Sequence, residues 1–92
     1  MTDYKAILTG TKASKTAASL MALRDGLKTC ENHIAEAHFM INRAQVGIFE
    51  ATTDYGTQLW FAELKSAQSM LRDEVGLQGR LLARIAHFES QS

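Results

Sequence analysis

Three histidines, one cysteine and a pair of arginines are the residues whose chemistry reaches beyond packing: His33, His38, His87, Cys30, Arg80 and Arg84. Histidines on a helix can share a metal ion only when they stand three or four apart, on one face. His33 and His38 are five apart, no Glu-x-x-His pair occurs, and His33 with Glu36 is the one histidine–carboxylate pair at ligand spacing. That pair is too common to define a metal centre, so no metal and no cofactor is expected. A catalytic thiolate needs an exposed, electropositive setting. Cys30 falls instead on an apolar stripe, where it reads as a small core residue. Arg80 and Arg84, with His87 one turn on, form a basic ridge that suits a phosphate or an acidic side chain. The plainer reading is a solvated face near a helix C-terminus, where positive charge is mildly favourable. There is no phosphate-binding glycine loop, nucleophile elbow, paired-carboxylate site or nucleotide fingerprint. The expectation is a protein that is not an enzyme.

The elements that carry these residues are legible from periodicity. Ala13, Thr16, Leu20, Leu23, Leu27, Cys30, Ile34, Ala37, Ile41, Ala44 and Ile48 alternate in steps of three and four. This is a heptad seam held for five repeats, polar only at Thr16. It predicts a helix over residues 14–50, with Thr11 or Ser14 as its cap. The same frame fails across Ala51-Thr52-Thr53-Asp54-Tyr55-Gly56-Thr57, whose weak helix formers predict a turn over 51–57, with Thr53 or Thr57 capping the second helix. That second helix, over 58–89, reads Trp60, Leu64, Ala67, Leu71, Val75, Gln78, Leu82 and Ile85. Its two consecutive steps of four form a stutter beside Gly76 and Gly79, which predicts a kink near 75–79. Gln78 in that seam either fixes register or faces outward at the kink. Residues 1–12 form a short lead-in, with Tyr4–Leu8 a helical turn or a brief strand.

The fold class expected is therefore all-α: one domain over 1–92, a long antiparallel helical hairpin that dimerises into a four-helix bundle. The chain has 92 residues and no proline, which suits uninterrupted helices. Domains this small bury only about 60% of their unfolded surface, so added contact area matters. Large apolar residues also lie off the seams: Met21, Phe39, Met40, Val46 and Phe49 on the first helix, and Phe61, Met70, Leu77, Leu81 and Phe88 on the second. Two helices cannot cover them all, and a second copy or another protein can.

Five of the seven aromatic residues, Phe39, Phe49, Tyr55, Trp60 and Phe61, fall at the turn end. Aromatic residues with a polar tip are enriched at binding hot spots. An aromatic core locking the turn explains them as well. Phe39 and Val46 share the outward face, so the expected partner interface is Phe39, Val46, Phe49, Tyr55, Trp60 and Phe61. Ten basic and ten acidic residues cancel, which argues against a coat for nucleic acid or an anionic membrane. One cysteine excludes a disulfide framework, the N-terminus has no signal-peptide run, and no segment is apolar enough to span a bilayer. A cytoplasmic protein is expected. The leading function is a helical protein–protein interaction module: a stand-alone regulator, inhibitor or adaptor of a larger machine, such as a phage or mobile element encodes. Two other classes fit the same features, a self-assembling structural component or secretion/assembly chaperone, and a nucleic-acid-binding helical dimer that uses Arg80 and Arg84.

Overall fold

A computed structural model describes residues 12–91, with side chains from Lys15 onward. Helix α1 spans Lys12–Glu50 and helix α2 spans Asp54–Glu89, packed against each other as an antiparallel hairpin. The chain measures 63 × 21 × 15 Å, which is the length of one helix and the thickness of two. The all-α hairpin expected from the sequence is therefore the fold. The lead-in, residues 1–11, and its Thr11 cap lie outside the described residues. Helix α1 already includes Lys12, so Ser14 lies inside the helix and does not cap it.

The turn is shorter than expected, three residues from Ala51 to Thr53. Thr53 takes extended backbone angles (φ −128°, ψ 153°), and its Oγ1 accepts from the Gly56 N–H at 3.0 Å. This satisfies one of the donors that every helix start leaves open. The Thr57 hydroxyl donates to the Thr53 carbonyl at 2.9 Å. Asp54 stands in the first turn, where its charge meets the positive end of the helix dipole. Residues 54–57 look like turn formers and are instead the first turn of α2, because a good cap outweighs weak propensity there. At the far end, Ser90 closes α2 by donating its backbone N–H to Ala86 O and its hydroxyl to His87 O.

On α1 the seam is the expected one: Leu20, Cys30, Ala37 and Ala44 are buried, and Leu23, Leu27, Ile34, Ile41 and Ile48 are half-buried. On α2 the expected stutter is absent. The inward residues are Trp60, Leu64, Ala67, Leu71, Glu74, Gln78, Leu81, Ile85 and Phe88, a strict alternation of four and three. Val75 and Leu82, assigned to the seam by hydrophobicity, are 48% and 49% exposed. No break interrupts α2 near 75–79, where a kink is expected: the α-helix runs on through those residues. A single-residue shift turns a side chain by about 100° around the helix. Keeping Leu81 and Phe88 on the packed face therefore requires Glu74 to enter it. Leu81, Phe88, Met40 and Met70, expected on the outer faces, are half-buried.

The glycines of α2 near the expected kink consequently have no packing role. A Cβ on Gly79 meets nothing within 4 Å, and one on Gly76 meets only the end of Arg80 at 3.7 Å. Gly79→Ala should stabilise the protein by about 1 kcal/mol through helix propensity alone. A higher urea midpoint with an unchanged slope would show it; a loss would mean that the backbone at Gly79 is in contact with something.

Candidate interaction surfaces

The buried set contains little volume. Besides Gly47 it is Leu20, Cys30, Ala37, Ala44, Ala67 and Ile85, and the largest side chain with under 2% exposure is Cys30. Small residues let the two backbones approach, and the large apolar residues are left partly or wholly outside.

The turn end shows this most clearly. Trp60 lies flat over Gly47 of α1, so a Cβ at Gly47 would coincide with the indole ring. The Arg43 guanidinium sits 5.6 Å from the ring centroid, in cation–π range. Trp60 is thus half-buried and locks the helices together, while one edge joins Gly56, Leu59 and Glu63 in lining an open groove of about 370 Å³. The other expected interface residues are not gathered into an aromatic core. Phe49 is 91% exposed, Tyr55 72% and Phe39 67%, and Phe61 and Val46 are about half exposed. Phe39, Val46 and Phe49 lie on the side of α1 turned away from α2, whereas Tyr55 and Phe61 belong to α2. Leu59, which periodicity does not single out, is exposed beside them.

At the opposite end, Arg80 and Arg84 line an open groove of about 420 Å³ with Ser19, Ala22, Leu23, Leu77, Leu81 and Phe88. His87 does not join them. Its ring packs edge-on against Phe88, with centroids 5.6 Å apart, and meets Gln91 Nε2 at 3.2 Å. Arg24 pairs with Glu89 at 3.2 Å across the hairpin mouth, both well exposed. An exposed pair of this kind contributes little to stability.

Midway along the seam lies a polar layer that periodicity does not reveal. His33 Nδ1 and Glu74 Oε1 are 3.2 Å apart, and the Cys30 thiol donates to the Glu74 main-chain oxygen at 3.0 Å. Glu74 Oε2 is buried without a hydrogen-bond partner. His33 therefore pairs across the seam with Glu74, and the local His33–Glu36 spacing is not used in this way. Among the described residues no group of three or more His, Cys, Asp or Glu could hold a metal ion. Cys30 is 1% exposed, and burial pushes its thiol up from the ordinary 9.0, with the Glu74 carboxylate acting in the same direction. A thiol both buried and held protonated is a poor nucleophile. A disulfide reagent should label Cys30 only as fast as the hairpin opens, and instant labelling in buffer would contradict its burial. The raised value also fixes a pH trend. Its stabilising contribution is complete below pH 9.0 and is lost as pH rises through the folded value, so Cys30→Ala should flatten the alkaline fall in thermal midpoint.

These features define a class: a two-helix hairpin with a thin seam and exposed aromatic residues toward its turn end. Compared with protein-family models, curated proteins and solved structures, the chain matches none. Among the described residues no helix is long and apolar enough to cross a membrane.

Proposed function

We propose that the protein is a non-enzymatic helical interaction module that acts by binding other protein surfaces through the turn end of its hairpin. The observation that carries this reading is the exposure of Phe39, Phe49, Tyr55 and Phe61 around one end of a rigid pair of helices. Each of these aromatic residues left exposed forgoes about 1.5–3 kcal/mol of possible burial. A regulator, inhibitor or adaptor of a larger assembly is the role such a surface serves best. The hairpin supplies a stiff scaffold and the aromatic residues supply the anchors. Pairing of two hairpins into a four-helix bundle belongs to the same reading, because it buries outer helix faces that one hairpin leaves wet. A single reduced thiol at the seam suits a cytoplasmic setting.

The test uses an identified binding partner and two variants, Phe39→Asp on α1 and Phe61→Asp on α2. At least one should weaken binding tenfold or more while far-ultraviolet circular dichroism stays helical, and added salt should have little effect on the wild type. Full affinity in both variants, or binding that collapses with salt, would refute an apolar turn-end surface.

A further inference from the structure

The outward side of α1 carries a second seam. Ala35, Phe39, Asn42, Val46 and Phe49 are spaced in steps of four, three, four and three, and all five are exposed on the side of α1 opposite its packed seam. The pattern repeats, on the wet side, the spacing that binds α1 to α2. Polar residues flank it, Glu36, Arg43 and Glu50 along one edge and His38 and Gln45 along the other, as a rim flanks an interface core.

We infer that this stripe is covered by a second copy of the chain, α1 against α1, with Asn42 meeting its own copy at a two-fold axis. The inference rests on the proposed interaction module and divides its surface: the α1 stripe serves self-association, and Tyr55, Leu59 and Phe61 of α2 stay free for a different protein.

Two observations point to a second copy. The first is area. The chain exposes 6889 Å², about 1,600 Å² more than a compact monomer of 10.2 kDa, which exposes about 5,300 Å². A standard interface takes about 800 Å² from each partner, so the excess exceeds what a stable dimer needs. The second is Asn42, the polar residue at the centre of the stripe. An amide has both donor and acceptor, so an identical amide across a two-fold satisfies it without any other matching group. A single buried Asn is also a device that fixes the register of paired helices.

The test is made on the purified chain. Light scattering should give twice 10.2 kDa, and Phe39→Asp should shift the dimer toward monomer at least about thirtyfold in dissociation constant. Phe61→Asp should leave the dimer unchanged. Asn42→Cys should form a covalent dimer on mild oxidation, since buried Cys30 does not compete, whereas Lys65→Cys on the outside of α2 should not. A wild type that stays monomeric up to millimolar concentration overturns the inference. So does a dimer that survives Phe39→Asp, or one that cross-links through Lys65→Cys and not through Asn42→Cys. A monomer that still loses a partner through Phe61→Asp sinks the self-pairing alone. A dimer with no partner dependence on Phe61 sinks the assignment of α2.

Discussion

Glu74→Leu should raise the stability of the hairpin by about 2–3 kcal/mol and its thermal midpoint by about 10 °C or more. Glu74 occupies an inward position of α2, and its Oε2 is buried with no partner. An unsatisfied buried acceptor costs about 1–3 kcal/mol, and a leucine in its place adds apolar burial of about 1.5–3 kcal/mol. The opposing loss is the contact with His33, whose side chain is nearly half exposed, so it is worth about 1 kcal/mol at most. The Cys30 bond is kept, because it goes to the main-chain oxygen of residue 74. Thermal unfolding of both proteins at one fixed concentration decides the matter. A lower midpoint in the variant would mean that the carboxylate has partners the structure does not place. The same variant tests what the polar layer does for specificity. If Glu74 and Gln78 hold the helices in register, the leucine protein should be more stable and less uniform in oligomeric state.

Gly47→Leu should have the opposite sign and a comparable size, a loss of about 3 kcal/mol from overpacking. Even a methyl group at this position coincides with the Trp60 ring. The indole must therefore leave its place over the α1 backbone, and with it the contact with Arg43. Gly47→Ala should be intermediate, its propensity gain of about 1 kcal/mol offsetting part of the displacement. Trp60 fluorescence reports the mechanism directly, because a displaced indole is wetter and emits at longer wavelength. Gly26 provides the control. A Cβ there meets only Leu81 at 3.9 Å, an ordinary contact, so Gly26→Ala should stabilise. If the Gly47 and Gly26 variants behave alike, the close approach at Trp60 is not what holds the turn end.

Helix α1 is readable from the sequence because nearly every inward position is apolar, so hydrophobicity and geometry select the same residues. Helix α2 departs from its expected seam at two places for one reason. Val75 and Leu82 are more apolar than Glu74 and no less apolar than Leu81, and a rule that tracks hydrophobicity inserts a stutter to collect them. The physical chain keeps a single register, because breaking it would turn Leu81 and Phe88 off the packed face. That register places Glu74 on the inward face with its Oε2 buried and unpartnered, at a cost of about 1–3 kcal/mol. The cost is softened by His33, which stands 41 residues away in sequence and therefore has no local signature. Gly47 is equally silent, since a glycine within a helix reads as a weakness until the partner above it is known. The exposed aromatic residues are partly legible: their clustering at the turn and the outward face of Phe39 come from spacing, whereas the seat of Trp60 over Gly47 depends on what lies across the seam.

By itself the sequence determined two long helices, a turn between them and the seam of α1, because proline is absent and short-range periodicity governs helix formation and amphipathicity. Only the tertiary structure decided the register of α2, the polar layer of Cys30, His33 and Glu74, and the seat of Trp60 on Gly47. Those features depend on which residues meet across the seam, and no local property of either helix contains that information.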